Sequence, residues 1–197
     1  MTGDETVRLV LLLIGLVFIP PALYYRLRSF TRERLDRWQE GAFILFGLRL
    51  AALVMFVGGI LWMSTPAWMA WASIPLPMWL RWVGLVLATM GGCLVVWTFH
   101  NLGKNLTDTV VTRQEHSLIT SGPYRWVRHP FYLAGALGAL GVCLATANWF
   151  LAIFGAVVLI FLYRRTRIEE AKLVERFGDD YRSYMQRVGR FLPRLRS

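Results

Sequence analysis

Two cysteines in 197 residues leave nothing from which to build a disulfide framework or a thiolate metal site. Cys93 and Cys143 both fall inside apolar runs, where a thiol behaves as a small apolar group. No His or Cys spacing fits a zinc or iron–sulfur centre, and no metal is expected. Internal repeats of about 20 to 50 residues are absent, which excludes solenoids and propellers. Charge is scarce, 17% of the chain, and acidic charge scarcer still, with 12 Asp and Glu against 22 Lys and Arg. What fills the chain is apolar: 56% hydrophobic and 14% aromatic, too much for an ordinary soluble domain of this length.

The apolar residues are gathered into runs. Leu9 to Tyr25 holds no charge. Gly41 to Leu80 holds only Arg49 and is broken after Met63 by Ser64-Thr65-Pro66, then Pro75 and Pro77. Trp82 to Phe99 and Phe131 to Tyr163 hold none. A bilayer core takes about 20 helical residues, so the first three runs read as one, one and one span. The last would make a single helix of roughly 50 Å. Asn148, near its middle, is the natural place to reverse, giving two short helices, 131–146 and 149–164. The expected fold is therefore all-α and membrane-embedded, with about five spans, the last two a short hairpin. The first run reads as a span rather than a signal peptide: Arg8 is its only basic lead-in and no small-x-small site follows. Residues 1–99 read as a three-span scaffold and 100–197 as the working half.

A net charge of +10 invites a nucleic-acid reading, but its distribution points elsewhere. Arg26, Arg28, Arg32, Arg34 and Arg37 lie between spans one and two, and Lys104, Arg113, Arg125 and Arg128 between three and four. Many more follow Tyr163, while Ser64 to Pro77 has none. Lys and Arg collect in cytoplasmic segments, so the N-terminus is expected outside and the C-terminus in the cytoplasm of a multi-pass membrane protein. Attraction to membrane lipids is a secondary consequence, and no nucleic-acid partner is expected.

Polar residues crowd both ends of the block 131–163. Ahead of it, His116 to Tyr132 is rich in turns, Arg, His and aromatics, with Pro130 placed for a first helical turn. A short extended stretch is expected at Val110–Thr112 or Leu118–Thr120. Behind the block come Arg164, Arg165, Arg167, Glu169 and Glu170, with Arg165 and Glu169 one helical turn apart. Arg167 to Phe177 reads as helix, and Asp179 as the cap of another that covers the cytoplasmic loop. A fold-back at Asn148 brings the two polar ends together: anion-binding donors at the start of span four on one wall, a carboxylate on the other. That pocket suits a zwitterion. Ordinary roles stand beside this: basic anchors, a solvated acidic face, interfacial Tyr124 and Trp126. Arg49 inside span two is either functional or snorkelling to the interface. Ala134, Gly138, Gly141 and Ala145, with Gly84, Gly91 and Gly92, read as close-packing surfaces.

Taken in order, these pieces resemble the isoprenylcysteine carboxyl methyltransferase family and its prokaryotic relatives. The resemblance rests on His116-Ser117-Leu118-Ile119, Gly122-Pro123-Tyr124, Arg128-His129-Pro130-x-Tyr132, Asn148, Arg165 with Glu169-Glu170, Phe177-Gly178-x-x-Tyr181-x-x-Tyr184 and Arg190-Phe191-Leu192-Pro193. It implies an integral membrane enzyme that uses S-adenosylmethionine. It implies cofactor contacts from His116, Ser117, Leu118, Ile119, Tyr124, His129, Pro130, Phe131, Tyr132 and Glu169. Arg165 and Arg128 are the candidate catalytic residues, and Arg165, Arg49 and Asn148 the candidates for meeting a lipophilic substrate that enters from the bilayer. No glycine-rich strand–loop of the Rossmann kind is present, in keeping with this family. The implied activity is carboxyl O-methylation of a prenylcysteine-like acceptor. The pattern also resembles phospholipid N-methyltransferases and, more distantly, nicotinamide-dependent sterol reductases, and a non-catalytic scaffold or lipid-binding protein is the alternative of another class.

Overall fold

A long apolar run out of water has to satisfy its backbone within itself, and the helix does so. The computed structural model describes residues 2–28, 42–103 and 118–194. They form α1 (Gly3–Arg28), α2 (Ala42–Ser64), a 3-10 turn at Pro66–Ala72, α3 (Met78–Leu102) and a second 3-10 turn at Gly122–Arg125. Then follow α4 (Pro130–Thr146), α5 (Trp149–Phe177) and α6 (Asp179–Arg187). Among the described residues β-pairing amounts to isolated bridges, Ser73 with Asn148 and Val127 with Gly189. Helices α1, α2, α3 and α5 are each long and apolar enough to cross a membrane, and α4 is a shorter apolar helix of 17 residues. The expected all-helical membrane fold is thus the observed one.

Three details differ from expectation. Helix α5 does not stop near residue 164; it runs unbroken for 29 residues to Phe177, so Arg164 to Glu170 ride on it as a rigid extension of its apolar part. Nothing in that stretch breaks a helix until Gly178, whose φ of 54° ends it. Gly178, not Asp179, is then the N-cap of α6, and Asp179 is its first helical residue. Leu118–Thr120 forms no strand, while 110–112 lies outside the described residues.

One end of the bundle is pinned by polar contacts. The reversal between α4 and α5 puts Ala147 in the left-handed region (φ 49°), and Asn148 caps α5 by accepting from the Leu151 amide at 3.1 Å. The Asn148 amide donates to Met69 O at 3.1 Å, and the Ile74 amide to Ala147 O at 2.8 Å. The α2–α3 connection therefore packs on the α4–α5 turn. Arg81, 7% exposed, adds a cap: its Nε donates to Ala145 O at 2.9 Å, against the negative end of α4, and its guanidinium pairs with Asp4. Thr2 and Glu5 close a reciprocal capping box at the start of α1. These elements share one face, which leaves the starts of α4 and α6 and the charged end of α5 for the other.

Helix α4 packs more extensively on α3 than on its hairpin partner. The small residues make that possible. A Cβ on Gly91 would stand 2.8 Å from Gly138 N and 2.9 Å from Ala134 O, and one on Gly141 2.4 Å from Ala88 N. Gly92 serves another neighbour, the Phe18 ring of α1. Gly91→Ala should therefore force backbones apart and cost about 1–3 kcal/mol. Gly59→Ala, where a Cβ meets nothing within 4 Å, should be neutral or stabilising. Thermal unfolding of the detergent-solubilised protein separates the two, and equal shifts would show that the α3–α4 seam yields.

Candidate active site

The chain enters α4 through Val127, Arg128 and His129, all buried, and a strap from the C-terminal side of α6 is bonded to them. The Arg128 amide donates to Gly189 O at 2.9 Å and the His129 amide to Arg190 O at 3.1 Å. The Tyr184 hydroxyl donates to Tyr124 O at 2.5 Å. Two amides expected to greet an anion are thus satisfied by the strap. The next intrahelical donor is Leu133 N, to His129 O at 3.0 Å, and Pro130 has no N–H. The amide of Phe131 is what the positive end of α4 offers to a ligand.

Behind that entry sits a carboxylate, Glu170, 4% exposed. Its Oε1 accepts from Arg128 Nε at 2.9 Å, lies 2.8 Å from Arg128 Nη2 and 3.2 Å from His129 Nε2. Its Oε2 pairs with the Arg190 guanidinium, whose pKa the carboxylate raises. Arg128 also donates through Nη1 to Met185 O at 3.1 Å and to Val188 O. A buried ion cluster is tolerable only when its donors and acceptors are matched in this way. Four of the five N–H donors of Arg128 are spent on Glu170, α6 and the strap. Its expected catalytic role gives way to a positioning one: it bolts the strap to α4.

Glu169, one residue earlier, turns about 100° away and stays reachable, its side chain 29% exposed. The Tyr132 hydroxyl donates to its Oε2 at 2.6 Å, and His129 Nδ1 stands 4.0 Å from the same oxygen. His129, 3% exposed, is held between the two carboxylates. Tyr124 is close enough to feel Glu169: burial first, then that charge, hold its phenol well above the usual range. Burial does the same for Tyr181 and Tyr184, so these hydroxyls remain neutral donors at working pH.

Of the expected site residues, the fold brings together His129, Tyr132, Glu169 and Arg128, with Pro130 at the helix start and Tyr124 beside them. Phe131 lies at the same end, stacked on Phe99 with ring centroids 5.4 Å apart. Arg165 is half-buried on α5, one turn before Glu169 and on its side of the helix. Leu118 and Ile119 are half-buried; His116 and Ser117 lie outside the described residues. Arg49 is not part of the cluster. It is exposed, and Gly47, whose face packs on Phe161 of α5, lies roughly 200° from it around α2. Asn148 is at the wrong end, the length of α4 away (about 25 Å), and is spent on the turn. The role of Glu170 as hub, with Arg190 as its partner, is not among the roles expected from sequence. Both stand in the quoted Glu-Glu and Arg-Phe-Leu-Pro segments, but nothing there says which carboxylate is buried.

Residues 82–175 match the model of the isoprenylcysteine carboxyl methyltransferase (ICMT) family. Arg128, His129, Tyr132, Glu169 and Glu170 lie inside that segment, and the strap with Arg190 beyond it. The chain is 31% identical over 126 residues to protein-S-isoprenylcysteine O-methyltransferase of Mus musculus, spanning 62% of this chain and 44% of that protein. It is 39% identical over 74 residues to methanethiol S-methyltransferase 1 of Bradyrhizobium diazoefficiens, 38% of this chain and 25% of that one. A solved structure of the eukaryotic intramembrane Ras methyltransferase, isoprenylcysteine carboxyl methyltransferase, aligns with a TM-score of 0.56 at 28% identity, covering 74% of this chain and 51% of that chain. The chain thus spans less than half the length of the mouse relative.

Proposed function

The chain is related through residues 82–175 to the isoprenylcysteine carboxyl methyltransferase family, and from that premise we propose that it is a multi-pass membrane methyltransferase. Its donor is S-adenosylmethionine, and its acceptor a lipophilic carboxylate of the prenylcysteine type. The observation that carries this is the pairing of a reachable carboxylate, Glu169, aimed by Tyr132, with the positive start of α4 in one polar site. That donor set fits the amino-acid end of the cofactor: Glu169 for its ammonium, the Phe131 amide at the positive start of α4 for its carboxylate. Leu118, Ile119 and Tyr124 hold the adenosine end in this reading, as the family resemblance implies. When bound, the cofactor supplies an electrophilic methyl on a sulfonium.

What the chain's own residues then contribute is alignment and exclusion of water. A carboxylate acceptor is already ionised near neutral pH and asks for no base. Arg165, beside Glu169, is the residue to orient it. The N-terminus lies outside and the charged ends of α4 and α5 in the cytoplasm of a prokaryotic membrane, so the cofactor enters from the aqueous side and the lipidic acceptor laterally. In this reading residues 1–99 act as scaffold and 100–197 as the working half.

Purified protein given radiolabelled S-adenosylmethionine and a farnesylated cysteine analogue should yield a base-labile ester. A base-stable product from native lipid extract would instead mean N-methylation of an aminophospholipid. Absence of cofactor binding would favour a scaffold. Arg165→Ala should leave cofactor affinity unchanged and slow turnover by roughly 10- to 100-fold, the scale of one lost hydrogen bond to a charged group. A matching drop in cofactor affinity would move Arg165 to the other half of the site.

A further inference from the structure

Helix α5 has a side that faces neither α2 nor α4. It meets α2 through Phe161, against Gly47 and the Phe43 ring, and α4 through Leu162, against Gly135. Ile153, Ile160 and Tyr163 lie on the remaining side, 52, 56 and 46% exposed. Where this stripe ends, a groove of about 450 Å³ is lined by Leu159, Ile160, Tyr163, Arg164 and Arg167. Its floor is aliphatic and its rim is cationic, with no carboxylate among the lining residues. Arg167 is preset: its Nη2 donates to the Tyr163 hydroxyl at 3.2 Å and its guanidinium lies over that ring at 5.3 Å.

Tyr163 connects this groove to the cluster. Its ring centroid lies 6.3 Å from that of Phe191, which lies 6.0 Å from His129. Arg190, the strap's partner for Glu170, lies near enough for its charge to be felt at the Tyr163 hydroxyl. A ligand that draws on Arg167 therefore acts on a phenol shared with the strap.

We propose that this groove is a site for an anionic phospholipid of the surrounding bilayer, and that its occupancy steadies Tyr163 and Arg190, and with them the strap that closes the catalytic cluster. The acyl carbons lie along Leu159 and Ile160, and the headgroup phosphate sits between Arg164 and Arg167. The position selects a lipid, because the groove opens where the apolar surface of α5 gives way to charge. The rim selects an anionic one, because a zwitterionic headgroup would bring a third cation to a site that already holds two. The effect on turnover rests on the methyl-transfer reading; the binding does not.

The test uses the full chain in nanodiscs of phosphatidylcholine, with and without phosphatidylglycerol. Native mass spectrometry reads which lipid is retained, and radiolabel transfer reads turnover. The wild type should retain phosphatidylglycerol selectively and turn over faster in its presence. Arg164→Gln with Arg167→Gln should lose the retention, by about fivefold per arginine, and the stimulation, while turnover in phosphatidylcholine alone is unchanged. Arg182→Gln with Arg187→Gln, on exposed α6, should keep both. Unselective retention, or equal loss in the α6 pair, would show diffuse attraction and no site. Retention without stimulation would overturn the coupling. Selective retention with no turnover in any disc would instead overturn the methyl-transfer reading.

Discussion

Glu170→Gln is expected to destabilise the protein by about 3–5 kcal/mol, because it leaves a buried cation without its counter-charge. The carboxylate faces donors on every side: Arg128 Nε and Nη2 and His129 Nε2 at Oε1, and Arg190 at Oε2. A glutamine of the same shape keeps one acceptor and turns an NH2 toward one of those donors. Arg128, 9% exposed, cannot reach water, whereas Arg190, with its side chain 29% exposed, can. Arg190→Gln alone should therefore cost much less, and in the Glu170→Gln background it should restore part of the loss, a coupling that a double-mutant cycle reads directly. The strap gives a second readout. Released from Glu170, the chain beyond Arg187 should become a substrate for trypsin under conditions where the rest of the protein resists it. A variant that melts with the wild type and keeps its strap protected would mean the cluster contributes little to holding α4, α5 and the tail together.

How much of this was legible beforehand depends on the range of the interaction. The spans follow from composition, and the meeting of Arg128–Tyr132 with Glu169–Glu170 follows from one reversal at Asn148, so both could be read from local pattern. The identity of the hub could not. Glu169 and Glu170 are chemically identical neighbours, and which is buried depends on the rotation of α5 and on Arg190, 20 residues later. The positioning role of Arg128 is hidden for a related reason: its partners at Met185 and Val188 are backbone carbonyls, which carry no side-chain signature. Arg49 and Asn148 stand apart from the cluster for a different reason. Both are polar residues in apolar runs, but a cap and a lipid-facing position produce that pattern as readily as a site does.

Glu169→Ala is expected to weaken cofactor binding on the order of 100-fold, about 2.7 kcal/mol, while barely moving the unfolding temperature. The side chain is partly exposed, and its contacts to described residues include the Tyr132 hydroxyl and a histidine at 4.0 Å, neither of them a buried arginine of the kind that Glu170 neutralises. What it removes is, among the described residues, the one carboxylate at the site that a ligand's ammonium can reach. Tyr132→Phe should reproduce part of the effect, about tenfold, by loosening the aim of a carboxylate that is still present, as expected for loss of a hydrogen bond to a charged group. Calorimetric titration with S-adenosylhomocysteine, which carries the same amino-acid end without the methyl, measures binding with no dependence on the acceptor. The decisive comparison is between neighbours on one helix. Position 169 should change affinity and spare the fold, and position 170 should do the reverse. If instead Glu169→Ala melts the protein and Glu170→Gln only loosens the ligand, then the carboxylate that meets the cofactor is the buried one, and α5 presents the opposite edge to the site.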